Sequence, residues 1–437
     1  MPGSRRRRTE ASIVKGALAR AGYSTLLRLA TPAYLARLWW RGRHEALYRS
    51  DWRQRLGGFA GDPGSQRLWI HAVSLGETRA AEPLIQALRR LRPELRLLLT
   101  HGTATGRAAG TALVREGDLQ AWLPYDTPGA VRRFLRRHRP ALGVLMETEV
   151  WPNLLAQARA AALPMVLANA RLSERSLAKG RRLQALMRPA VAAFDCVLAQ
   201  TARDGERLRE LGAPRVVVAG NLKFDVSPDP VLMARGQAWR RGLARPVILA
   251  TSTREGEEEP LLEAWKLLPA PRPLLLLVPR HPQRFDLVAA MLAPRGLSFL
   301  RRSGWGAAPP AEAAAADVWL GDSLGEMPLY YAAADAALLG GSFERLGGHN
   351  LIEAAACGCP LVMGPHTFNF AQAAELALQA RAALRAPDIE QAVQTAVALA
   401  LDPARGEWAR RALDFAGQHR GAAERMAAEI VALIQRR

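Results

Sequence analysis

Acidic residues are scarce in this chain. Against 60 Lys and Arg there are 40 Asp and Glu among 437 residues, a formal charge of +20. Such a surface concentrates polyanions without choosing among nucleic acid, anionic lipid and phosphorylated substrate. The basic residues are scattered and no nucleic-acid motif accompanies them, so nucleic acid is not an expected partner. Cysteine is scarcer still. Cys196, Cys357 and Cys359 cannot build a disulfide framework, and the last two lack the spacing of a zinc knuckle or redox pair, which fits a reducing cytoplasm. Long apolar runs are missing too. Ala21 to Trp40 is interrupted by Arg28, Pro32 and Arg37, whereas a spanning helix needs about 20 mostly apolar residues. No transmembrane helix is expected, and Arg5–Arg8 before this stretch does not make it a signal peptide. The histidines form no H-E-x-x-H or close ligand pair, so no metal is expected. A G-x-x-x-x-G-K loop is absent, which argues against ATP or GTP hydrolysis, and so is a G-x-S-x-G elbow.

What is present begins with an amphipathic start. Leu26, Leu27, Leu29, Tyr34, Leu35, Leu38, Trp39 and Trp40 alternate with arginines, the composition of a helix lying in a lipid headgroup region, so residues 1–45 are expected to associate with an anionic membrane surface. Two ordinary surface helices would read similarly. The length favours two domains of roughly 200 residues. From Arg67 onward short apolar runs alternate with helical stretches, the pattern of parallel strands joined by crossover helices. The first series is Leu68–Val73, Leu95–Thr100, Leu142–Met146, Met165–Ala168, Val197–Ala199 and Val216–Ala219. The second is Val247–Ala250, Leu274–Val278, Val318–Leu320, Ala336–Leu339 and Leu361–Met363. The reading is therefore an N-terminal domain over 46–225, a linker over 226–246, and a second domain over 247–437 with a closing helix at its end. Residues 305–316, rich in Ala with Pro309 and Pro310, read as a flexible surface loop.

In open parallel sheets ligands bind beyond the carboxyl ends of the strands, so the segments following strands are where chemistry is sought. After the first strand, His71-Ala-Val-Ser-Leu-Gly-Glu77 delivers a carboxylate to a helix start. There Glu77 either favours the helix dipole or acts as a general base. Glu147-Thr-Glu149-Val-Trp-Pro-Asn153 brings two carboxylates and an indole together ahead of a helix-opening proline. Lys223, in Gly220-Asn-Leu-Lys-Phe-Asp225, is equally a charge balancer for a reacting anion or a surface lysine paired with Asp225. In the second series Val278-Pro-Arg280-His-Pro282, Asp322-Ser-Leu-Gly-Glu-Met327 and Gly340 through Glu353 together look like a nucleotide site, with glycines that admit a phosphate and a helix start near Asn350. Asn350 and Glu353 also have capping-box spacing.

HAVSLGE, PYDTPGAVRRFL, METEVWPNL, NARLSERS, GNLKFD, ATSTREGEE, LVPRHPQRF and GHNLIEAAACGCPLVMGPHTFNF, in this order, closely resemble the Kdo (3-deoxy-D-manno-oct-2-ulosonic acid) transferases of lipopolysaccharide synthesis. The resemblance implies an α/β glycosyltransferase B-type fold, two Rossmann-like domains facing a central cleft. It implies transfer of Kdo from CMP-Kdo to a tetraacylated, bisphosphorylated lipid A precursor, with inversion and release of CMP, at the cytoplasmic face of a bacterial inner membrane. By matching motifs, Glu77 is the general base and Glu147 and Lys223 stabilise the transition state. Nucleotide contacts fall to Pro279, Arg280, Leu324, Gly325, Glu326, Asn350, Leu351, Ile352 and Glu353, and Ser74, Gly76 and Glu149 are candidates for the acceptor region. No cofactor is expected, since fixed cations can serve a carboxylate sugar and a nucleotide leaving group. A nucleotide-sugar epimerase of the same architecture and a noncatalytic polyanion-binding protein are the competing readings.

Overall fold

The computed structural model describes residues 3–59 and 66–436, with side chains in the first helix described from Val14 onward. The side chains of Arg5–Arg8, and Arg437, lie outside the described residues. The chain forms two compact units. One comprises residues up to Asp225 together with Arg420–Arg437; the other is Val226–His419.

The first unit is built on a seven-stranded parallel sheet of order β3-β2-β1-β4-β5-β6-β7. Its strands are β1 Leu68–His71, β2 Leu97–His101, β3 Leu119–Trp122, β4 Leu142–Met146, β5 Met165–Ala170, β6 Cys196–Ala199 and β7 Val216–Val218. The central strands are apolar and buried throughout because helices cover both faces of the sheet. The order reverses between β1 and β4, so the segments after these two strands splay apart and leave a crevice. The second unit repeats the plan with order β10-β11-β9-β8-β12-β13-β14. Here the strands are β8 Val247–Thr253, β9 Leu274–Pro279, β10 Phe299–Arg301, β11 Val318–Leu320, β12 Ala336–Leu339, β13 Leu361–Met363 and β14 Ala383–Arg385.

Every run expected as a strand forms one. β3, β10 and β14 are additional; each is short and lies at a sheet edge, where a strand is covered less completely and needs no continuous apolar run. Three further expectations are corrected. The last helix, Ala422–Gln435, does not close the second domain but packs in the first unit against Leu75–Leu91, burying Met426, Ala427 and Ile430 in that unit's core. Asp225 fixes it there, accepting from the backbone N–H of Gly421 at 2.6 Å and Ala423 at 2.5 Å. The stretch read as a linker, 226–246, carries the helix Pro230–Arg241, which packs on Met327–Ala333 with Trp239 buried; its Arg240 pairs with the buried Asp335 at 2.8 Å. Residues 305–316 are not a loose loop. Trp305 packs edge-on against Trp319 at 4.8 Å, and the carbonyl of the buried Ala313 accepts from the Trp319 indole at 2.8 Å.

The N-terminal stretch is one helix, Gly3–Arg41, continuing through Pro32. One side is held to the first unit. Tyr23 donates to Asp126 at 3.0 Å, and Ser24 donates to Asn153 at 3.0 Å. Val14, Leu18, Leu29 and Trp40, spaced to share a helix face, are exposed, Leu29 by 75%. Among the described residues no helix is long and apolar enough to cross a membrane.

Candidate active site

In the first unit the switch point gathers acids. Ser74 caps the helix Leu75–Leu91, its Oγ accepting from the Glu77 N–H at 3.4 Å, while Oε2 of Glu77 accepts from Val73 N–H at 2.5 Å and Ser74 N–H at 3.3 Å. This capping box orients the carboxyl through Oε2 alone. The structural and catalytic readings of Glu77 are thus compatible. Burial raises the pKa of Glu77; the Val73 N–H opposes that rise and the nearby charge of Glu147 adds to it. A raised pKa makes a carboxylate a stronger base. Gly76, in the same first turn, is exposed.

Glu147 follows β4. It is buried, with a left-handed φ of +56°, a conformation costly for a residue with a side chain and held by its surroundings. Its N–H donates to the Ala168 carbonyl at 2.9 Å, and its Oε2 accepts from Arg171 Nε at 2.9 Å. Glu149 accepts from the Trp151 indole at 2.7 Å. Burial, then the charge of Glu77, pushes its pKa up to about 7. Lys223, beyond β7, is brought to the same place: burial lowers its pKa while Glu147 nearby raises it. Asp225 is occupied with the last helix. The first unit thus unites Glu77, Glu147, Glu149, Lys223 and Arg171, with Ser74 as the cap.

Residues that sequence reasoning passed over support this cluster. Arg171 sits in NARLSERS, a motif noted without a role. Asp126, in PYDTPG, accepts from the N–H of Asn153 at 3.0 Å and Leu154 at 2.6 Å, so it caps the helix after Glu149 while holding Tyr23. A cavity of about 960 Å³ lies elsewhere in this unit, beside the amino ends of the strands near Arg136, Leu163 and Leu433, and contains none of these acids.

In the second unit, the expected nucleotide residues lie at or after the ends of β9, β11 and β12. Pro279 ends β9 and Arg280 stands exposed beyond it. Gly340 passes so close to β8 that a Cβ would meet the Ser252 carbonyl at 2.4 Å, and Gly341 has φ +69°. The turn is held by Glu257, which accepts from Gly341 N–H at 2.7 Å, Phe343 N–H at 3.1 Å and Arg254 N–H at 2.9 Å. Burial, with the charges of Arg280 and Arg254, lowers His349 to about 4. Arg254 and Glu257 were absent from the sequence-based site, and His349 lay inside its Gly340–Glu353 segment without a role of its own; Glu257 and Arg254 lie in ATSTREGEE, whose position at the end of a strand was the available signal. Asn350 caps Leu351–Ala356 by accepting from Ile352 N–H at 3.1 Å, and its amide donates to Glu353 at 3.1 Å, a variant of the expected capping box. Leu324 is exposed and Gly325 has φ +80°, while Glu326 accepts from Arg302 at 2.8 Å.

Two Rossmann-like units, each with a polar cluster at the carboxyl ends of a parallel sheet, define a glycosyltransferase B-type fold. A UDP-GlcNAc 2-epimerase from Neisseria meningitidis, solved with UDP-GlcNAc bound, shares the arrangement with a TM-score of 0.52 over 85% of this chain and all of that one, at 15% identity. That likeness shows fold alone, since one fold hosts several chemistries. Sequence discriminates further. The family model for 3-deoxy-D-manno-octulosonic-acid transferase (kdotransferase) matches residues 50–226. The 3-deoxy-D-manno-octulosonic acid transferase of Bordetella pertussis is 50% identical over 423 residues, 93% of this chain and 98% of that one. That of Haemophilus influenzae is 34% identical over 419 residues, 92% and 96% of the two chains. The chain belongs to the Kdo transferase family of lipopolysaccharide synthesis.

Proposed function

We propose that the protein transfers Kdo from CMP-Kdo to a hydroxyl of an acylated, phosphorylated lipid A precursor, by one displacement that inverts the anomeric centre. Glu77 takes the acceptor proton as the acceptor oxygen bonds to the anomeric carbon and the bond from that carbon to the phosphate oxygen of CMP breaks. Glu147 and Lys223 stabilise the charge that develops, with Arg171 holding Glu147 in place. Pro279, Arg280, Leu324 to Glu326 and Asn350 to Glu353 contact the nucleotide, and Ser74, Gly76 and Glu149 border the acceptor. The observation that carries this reading is the meeting of Glu77, Glu147 and Lys223 at the switch point of the first sheet. Arg254 and Arg280, whose charges both act on His349, supply fixed positive charge suited to a nucleotide phosphate. On this reading no metal or cofactor takes part, and activity persists in a chelator.

The helix Gly3–Arg41 lies on the cytoplasmic face of the inner membrane. Its exposed Val14, Leu18, Leu29 and Trp40 enter the headgroup region, and its Lys15, Arg28 and Arg37 face anionic lipid.

The deciding experiment supplies freshly generated CMP-Kdo and a tetraacylated lipid A precursor, and follows lipid mass and CMP release for wild type and Glu77→Gln. Lipid-dependent product from wild type, lost in a folded Glu77→Gln protein, supports both the activity and the base. Equal turnover removes Glu77 from that role. Absence of product with competent substrates reopens the epimerase and binding-protein readings.

A further inference from the structure

Beside Glu147 the first unit contains an apolar recess of about 220 Å³ that the carboxylate chemistry does not use. Leu167, Val191, Leu208 and Leu211 form its buried lining, Met187 a half-buried wall, and Leu183 an exposed rim. Gly180 leaves room there, since a Cβ would come within 3.0 Å of the Leu211 side chain. Its charged lining residues are Glu147, Arg171 and Lys179. Apolar walls with cations beside them suit an amphiphile having a hydrocarbon tail and an anionic head.

We propose that this recess takes one fatty-acyl chain of the acceptor, an inference that rests on reading the acceptor as an acylated phosphosugar. Glu147 and Arg171 belong to both the recess and the acidic cluster, so a chain seated there tethers its sugar beside Glu77. The helix Gln184–Val191, which contributes Met187 and Val191, also supports the N-terminal helix: Gly16 lies against Ala185 and Pro189. The recess is therefore one helix removed from the element bearing the exposed apolar face. Allowing about 30 Å³ per methylene-sized group, it holds about seven carbons, the end or a segment of one chain rather than a whole lipid.

The test compares kcat/KM for one phosphorylated disaccharide carrying acyl chains graded from acetyl to myristoyl. For the wild type we expect a rise of up to about fourfold per added methylene until about seven carbons are seated, then a plateau. Met187→Trp, which fills the recess, lowers the plateau by about tenfold or more while leaving the acetylated acceptor within about twofold. Leu183→Glu, at an exposed site and tolerated by the fold, does the same by charging the rim. Wild-type rates independent of chain length, or variants that slow every acceptor equally, overturn the proposal. Failure to transfer Kdo to any member of the series overturns the acceptor reading itself, and the recess assignment with it.

Discussion

Nε2 of the fully buried His71 faces the carboxylate of Glu149 at 4.0 Å. The arrangement looks ionic, but burial keeps the imidazole of His71 neutral and lets Glu149 hold its proton up to about pH 7. Burial, with His101 nearby, lowers His71 to about 3, while burial and Glu77 raise Glu149 to about 7. On the other side of the ring, Nδ1 lies 3.1 Å from the Thr100 carbonyl and 2.9 Å from the Thr100 hydroxyl, which accepts from the Trp69 indole at 2.8 Å. A carbonyl only accepts, so Nδ1 carries the proton and Nε2 presents a lone pair toward Glu149.

His71 should therefore remain neutral and Nδ1-protonated between about pH 5 and pH 8. Nitrogen chemical shifts of labelled imidazole check this, and an imidazolium signal at neutral pH would contradict it.

Stability should respond to Glu149 in the opposite sense to an ordinary ion-paired acid. Its folded pKa of about 7 exceeds the ordinary 4.5, so between those values the native state holds a proton that the unfolded state has lost. The penalty is thus absent at low pH and complete above about pH 7. Glu149→Gln should stabilise the protein by about 1–2 kcal/mol at pH 8, an advantage vanishing below about pH 4.5, as denaturant melts at several pH values would reveal.

Glu147 raises the pKa of Glu77 through its charge. In Glu147→Gln the residual activity should keep its rate to lower pH, because Glu77 then ionises more readily. A kcat/KM profile with an unmoved acid limb would separate Glu147 from the proton transfer.

Asp225→Ala should destabilise the first unit by about 2 kcal/mol, since the N–H groups of Gly421 and Ala423 lose their acceptor. Hydrogen exchange of residues 420–437 should accelerate at the same time. If only the second unit loosens, the placement of the last helix is wrong.

Much of this architecture is legible in the sequence. Central parallel strands are buried on both faces, so β1, β4, β8 and β9 announce themselves as apolar runs, and Glu77, Glu147 and Arg280 follow strand ends, the positions beyond which open parallel sheets in general bind ligands. Family motifs named the same positions. Local pattern is weak at edges and in long returns. β3, β10 and β14 carry little apolar signal, and Trp305 reads as loop until Trp239 and Trp319 are seen around it.

Sequence alone determined the class of fold and the family, and it singled out the residues of the candidate site, because periodicity and motif are local properties of the chain. Only tertiary structure decided that the last helix belongs to the first unit, that Arg171 holds Glu147, that His71 meets Glu149 across two strands, and that an apolar recess adjoins them. These relationships join residues far apart in the chain. They depend on which strands become neighbours and on how much water burial removes, which no local stretch of residues encodes.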